Sequence, residues 1–170
     1  MASHIQELKL AGFATAAAAE RVENYQAIYE QNRHRVYALA FWMTDNEMTA
    51  EELMGHVFHR AFAHSAQPSP EAIDRALIAE LREIATLGVL TLTASPTTEV
   101  LNVRRNVLRT HLERAVVQVP ATERLIFLMH DVEGYDHKRI ARTLGMNEAE
   151  SQTGLHQARL RIRQLVATMQ

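Results

Sequence analysis

The sequence predicts an all-α protein made of two small helical domains, a three-helix bundle and then a four-helix bundle that contains a helix-turn-helix. Three observations carry this. Apolar residues recur at steps of three and four along most of the chain, the spacing of one helix face. Breakers interrupt that period at Thr44-Asp45-Asn46, Gln67-Pro68-Ser69-Pro70, Pro120 and Leu144-Gly145. The charge balance also reverses near Ala94-Ser95-Pro96-Thr97. Residues 1–96 hold seven Lys/Arg against twelve Asp/Glu, and residues 97–170 hold eleven against eight.

A chain of 170 residues is long enough to bury a core. With no cysteine, it has no disulfide, thiolate zinc site or thiol nucleophile. No run of about 18 apolar residues marks a membrane span, and no basic stretch precedes an apolar run at the N-terminus. The expectation is a cytoplasmic protein with no membrane insertion and no cofactor.

Residues 1–20 are Ala-rich and read as a leading helix or a frayed tail. From Arg21 the period is clear in Tyr25, Ile28, Tyr29, Asn32, Val36, Leu39 and Met43. The run Val36–Met43 is apolar nearly all round, which predicts burial on several sides and a core role for Tyr37, Phe41 and Trp42 with Phe58 and Phe62. Thr49-Ala50-Glu51-Glu52 has the form of a capping box opening the second helix, with Leu53, Val57, Phe58, Ala61 and Phe62 on its inner face.

Ser69 as cap and Pro70 at the first helical position begin a third helix, expected to run from about Glu71 to Leu87. Gly88-Val89-Leu90-Thr91-Leu92-Thr93 alternates like a strand, but one strand has no partner here. It reads as the frayed end of the third helix. The domains are accordingly placed at 1–93 and 112–170, joined by a linker and leading helical stretch over 94–111.

The second half predicts helices over about Thr98–Val119 and Ala121–Val132, the latter closed by Gly134. Two further helices flank Leu144-Gly145. A helix-turn-helix lays its second helix in a DNA major groove. Gln152, Thr153, His156 and Gln157 on that helix are candidate readers of base edges. Lys138, Arg139, Arg142 and Arg159 are candidate phosphate contacts, and Asn147, which opens the helix, completes the DNA-binding set. His56, His59 and His64 lack the carboxylate pattern of a metal site. With no nucleophile-base arrangement or phosphate-cradling Gly loop, an enzyme is not expected.

Several of these pieces are those of a known family. Val119-Pro120-Ala121-Thr122-Glu123-Arg124, Leu128, Asp131-Val132-Glu133-Gly134, Ile140-Ala141, Leu144-Gly145 and Leu155-His156-Gln157-Ala158-Arg159 resemble the C-terminal DNA-binding domain of bacterial sigma-70 family factors of the extracytoplasmic-function type. Tyr29-Glu30, Arg35–Ala40, Ala50-Glu51-Glu52-Leu53, Val57-Phe58 and Arg60-Ala61-Phe62 are similar to the family's domain for core polymerase and the −10 element. The resemblance implies a sigma factor that binds core RNA polymerase and directs it to promoters for transcription initiation. Glu51, Glu52, Gly55, His56 and Arg60 would face polymerase, and the helix after Asn147 would enter the major groove of a −35 element. An anti-sigma factor would be a further partner.

The sequence also departs from the family. Where it commonly has Asp-Leu-x-Gln-Glu-x-Phe, this chain has Glu52-Leu53-Met54-Gly55-His56-Val57-Phe58. Residues 76–94 have neither Trp nor Asn and one cation, Arg82, in the segment that melts the −10 element, where stacking platforms and cations are needed. Gln152 and Gly154 stand where the family has cations, and Glu150 adds a carboxylate. These departures give the alternative of a divergent sigma-like regulator, which would act on an anti-sigma factor or on polymerase by protein interaction, without promoter opening.

Overall fold

A computed structural model of the chain describes residues 2–93 and 107–169, with the backbone alone for residues 2–15. Among the described residues every regular element is a helix. The expected linker start at Ala94-Ser95-Pro96-Thr97 lies outside them.

Helix α1 (Ala2–Thr44) is far longer than the others, so the Ala-rich start continues it rather than fraying. At about 1.5 Å per residue it extends some 60 Å. Its packing begins where its apolar period begins. Tyr25 and Tyr29 pack on Phe62 and Phe58 of the next helix, and Val36, Leu39, Ala40 and Met43 are buried. Of the aromatic side chains expected in the core, Phe58 is fully enclosed, whereas Tyr37, Phe41, Trp42 and Phe62 line its edge. Asp45 ends α1 with a positive φ of 53°.

Helix α2 spans Glu47–His64, and its cap is Asn46, whose side chain accepts from the Thr49 amide at 2.9 Å. Thr49 therefore lies inside the first turn, and the expected capping box gives way to an Asn cap three residues earlier. Asparagine at the break already offers the acceptor that the first free amides need. Helix α3 (Pro70–Arg82) starts as expected on Ser69 and Pro70, but stops five residues before Leu87.

Beyond α3 the chain runs as an extended strap rather than a frayed helix end. Its alternation is real: positions 88, 90 and 92 are half-buried, and 89, 91 and 93 are exposed. The partner that a lone strand lacked is a side chain. Glu123 is completely buried and accepts from the Thr91 and Leu92 amides at 2.6 and 2.7 Å, pinning the strap to the second half. Gly88 makes this route feasible. With φ at +96°, a Cβ there would lie 2.8 Å from the Leu144 carbonyl oxygen.

The second half holds α4 (Arg109–Val117), α5 (Ala121–Phe127), α6 (His137–Leu144) and α7 (Glu148–Met169), and residues 98–106 of the expected helix over 98–119 lie outside the described residues. Helix α5 runs on through a wider π turn at Leu128–Val132, closed by Glu133 donating to the Leu128 carbonyl and then by left-handed Gly134. Leu125, Ile126, Met129, Ile140, Leu144, Leu155, Ala158 and Ile162 close its core. This core is continuous with that of α1–α3, because α6 packs on α3 and α5 on α1.

Candidate nucleic-acid interface

The helix-turn-helix is built from local chemistry. Asp136 caps α6 by accepting from the Arg139 amide at 2.6 Å. Gly145, left-handed at φ 75°, ends α6 and turns the chain. Asn147 and Glu150 then form a reciprocal capping box at 2.8 Å in both directions. Glu150 is thus a cap partner at the start of α7. Ser151 is buried beneath the turn and bonded to His137 Nδ1 at 2.9 Å, which fixes the angle between α6 and α7. Burial, and then the neighbouring His130 ring stacked 4.7 Å away, hold the His137 pKa below its ordinary value.

The candidate DNA-binding residues divide into two groups. Lys138, Arg142, Asn147, Gln152, Thr153 and His156 are exposed around α6 and the first turns of α7. Gln157 is buried, Arg139 is half-buried, and Arg159, although exposed, is paired within the protein. Arg139 reaches Asp74 of α3, with Nη2 at 2.6 Å and Nε at 3.2 Å from Oδ2. Arg159 holds both oxygens of Asp131 at 2.6 and 2.8 Å. That bond and charge keep the Asp131 carboxyl below its usual pKa.

Gln157 is buried, and its Oε1 has no hydrogen-bond partner. It lines an open cleft of about 400 Å³ between α7 and the strap, beside Thr153, His156 and Leu92. Gly154, which stands where the resemblance would put a cation, is also internal. A Cβ there would meet Ile126 at 2.6 Å and Leu90 of the strap at 2.8 Å. Close approach of three elements, rather than DNA, accounts for that glycine.

The candidate polymerase-facing residues Glu51, Glu52, Gly55, His56 and Arg60 are all exposed on the outer side of α2. Glu80 of α3 ties down two of them, accepting from Arg60 Nε at 2.6 Å and standing 3.6 Å from His56. A Cβ at Gly55 would meet nothing within 4 Å, so no packing requirement explains that glycine.

Sequence reasoning gave no role to the polar groups between the two halves. Asp74 is buried and receives Arg35 of α1, Arg139 of α6 and the Tyr135 hydroxyl, the last at 2.9 Å. Tyr135 lies beneath the Arg139 guanidinium, 3.8 Å from ring centroid to Cζ. Burial and the adjacent Asp74 carboxylate push the Tyr135 hydroxyl well above its ordinary pKa. Arg124 donates to the Trp42 and Met43 carbonyls at the end of α1, at 3.2 and 3.3 Å, and to those of Val117 and Val119. One signal was present in the sequence. Asp74 sits within the stripe Ile73, Leu77, Ile78 and Leu81, where a carboxylate needs a buried partner.

The architecture is that of an all-helical protein whose second half presents a helix-turn-helix. Residues 109–162 match the family model described as Sigma-70, region 4. Among solved structures, the sigma factor RpoE of Bartonella quintana, in complex with the anti-sigma factor NepR, superposes with a TM-score of 0.63 at 14% identity. The match covers 85% of this chain and 97% of that one, and at this identity it speaks for the fold. No curated protein matches the chain. The resemblance read from the motifs thus has support over residues 109–162, which are similar to Sigma-70, region 4, and the fold as a whole is similar to that of a sigma factor. Among the described residues, no helix is long and apolar enough to cross a membrane.

Proposed function

We propose that the chain is an extracytoplasmic-function sigma factor that binds core RNA polymerase in the cytoplasm and brings it to promoters. The observation that carries this reading is the doubly capped helix-turn-helix, with Lys138, Arg142, Gln152, Thr153 and His156 facing outward from a region 4 domain. Lys138 and Arg142 would hold phosphates and set the register. Gln152, Thr153 and His156 would meet base edges in the major groove of the −35 element. Asn147 would serve by setting the start of α7, and Arg159 would join the contacts on leaving Asp131.

In the same reading, the outer face of α2, with Glu51, Glu52, Gly55, His56 and Arg60, docks on polymerase, and residues 1–93 and 112–170 act as separate domains. Tethering of polymerase at the promoter supplies the function, and this chain performs no bond chemistry. An anti-sigma factor is a fitting further partner, since the structurally similar RpoE is seen with one.

Co-elution of the purified chain with core polymerase, and then selection of genomic fragments by the complex, tests this reading. The complex is expected to form, to retain a discrete set of fragments, and to be lost in a Glu51→Lys, Glu52→Lys double variant. Retention of DNA by the chain without any polymerase association would overturn it.

A further inference from the structure

The cleft between α7 and the strap holds about 400 Å³, within the size range of small-molecule sites. Its lining combines three chemistries. Leu92 and Leu160 are apolar, Gln157 and Gln164 carry carboxamides, and Arg161 brings a positive charge beside His156. Among the described residues no carboxylate lines it, so an anion entering the cleft meets no like charge there. We propose that this cleft binds an adenine nucleotide, with Gln157 reading the base and Arg161 holding the phosphate.

Gln157 is the centre of the site. It is only 8% exposed, and its Oε1 accepts no hydrogen bond among the described residues. A buried acceptor left unpaired is unfavourable, and a ligand bearing an N–H in the cleft would remove that cost. The last torsion of a glutamine is soft, so the carboxamide can turn Oε1 toward the cleft that its side chain lines. It then offers an acceptor and a donor side by side. Adenine matches that pair, its N6 amino group donating to Oε1 and its N7 accepting from Nε2.

The rest of the nucleotide finds partners on the same helix face. Gln157 and Arg161 are four residues apart on α7, a rise of about 6 Å along the axis. The long Arg161 side chain is exposed, and its planar guanidinium suits a phosphate lying beyond the base. Leu92 of the strap and Leu160 of α7 offer apolar surface to the ring, and Thr153 brings a hydroxyl for the ribose. The site lies outside the promoter-reading function proposed above and does not depend on it.

Isothermal titration calorimetry of the full chain with AMP, adenosine, GMP and inorganic phosphate, each alone, tests the site. AMP is expected to saturate one site per chain. Adenosine should bind about tenfold more weakly, having lost the charged contact, and GMP and phosphate more weakly than AMP. Gln157→Leu keeps the bulk and removes the carboxamide. It should weaken AMP about tenfold yet leave the denaturant midpoint of the free chain unchanged or higher, because the unpaired acceptor goes too.

Arg161→Gln, on the surface, serves should the first variant fold poorly. It is expected to bring AMP down to the affinity of adenosine and to leave adenosine itself unchanged. Absence of saturable AMP binding overturns the proposal. So does GMP or phosphate binding as tightly as AMP, which leaves an anion patch only, and so does AMP binding that neither substitution weakens. No DNA or polymerase enters the titration, so its failure leaves the promoter-reading function standing.

Discussion

Two aspartate–arginine pairs in this molecule have similar contact distances and different settings, Arg139 meeting one oxygen of Asp74 and Arg159 both oxygens of Asp131. Asp74 holds Arg139 at 2.6 and 3.2 Å across the seam, and Asp131 holds Arg159 at 2.6 and 2.8 Å on the surface of the second half. The side chains of the first pair are 3% and 27% exposed, those of the second 23% and 47%. Water decides their worth. An exposed pair exchanges hydration for a contact of similar strength. A buried pair that loses one member leaves a charge with no solvent to receive it. The seam is therefore where charge sets the relation of the two halves, and the surface is where charge stays available to a ligand.

Substitutions at the two sites should separate them sharply. Asp74→Ala is expected to cost about 3 kcal/mol in denaturant unfolding, because Arg35 then remains among buried neighbours unpaired. A cost as small as that of a surface pair would break the comparison. Two glycines give the next effect. Both are left-handed, but only Gly88 faces the Leu144 carbonyl, whereas Gly145 faces open space. Gly88→Ala should cost about 2 kcal/mol from strain and collision, and Gly145→Ala distinctly less, read as the difference in their denaturant midpoints.

In the helix-turn-helix, Asn147→Ala removes one arm of the capping box and is expected to cost about 1 kcal/mol. Equal effects of Asn147→Ala and Asp74→Ala on stability would deny the seam its special weight. Asp131→Ala should cost less than about 1 kcal/mol and lose even that at high salt. It should also strengthen DNA binding by freeing Arg159, which a salt titration of the duplex complex detects as a steeper slope.

The smallest effect is that of pH at His137. Its folded-state pKa lies below the ordinary 6.5, so the stability it contributes is present above that value. It is lost as pH falls through the folded value, when the imidazolium would face both His130 and Arg159. Melting temperatures taken from neutral to mildly acidic pH should fall for the parent chain, and less for His137→Asn.

The helices were legible because each buries one face, and a three-four period records that directly. The helix-turn-helix was legible because its signals are local: Asp136, Gly145, Asn147 and Glu150 act within four residues of their targets. The strap was misread because its alternation was genuine while its partner, Glu123, lies about thirty residues away and is not a strand. Asp74 was visible as a carboxylate in an apolar stripe. Its partners Arg35 on one side and Tyr135 and Arg139 on the other come from two distant places in the chain, and only folding brings them together. For the same reason, Arg139 and Arg142 look alike in sequence, though only Arg139 meets Asp74 and Arg142 stays exposed.

The most direct measurement of the central claim is run-off transcription with core polymerase and the fragments that the complex selects. The account predicts discrete transcripts that require this chain and weaken when Arg142 is replaced by Ala. Stable association with polymerase and DNA that yields no transcript would contradict it.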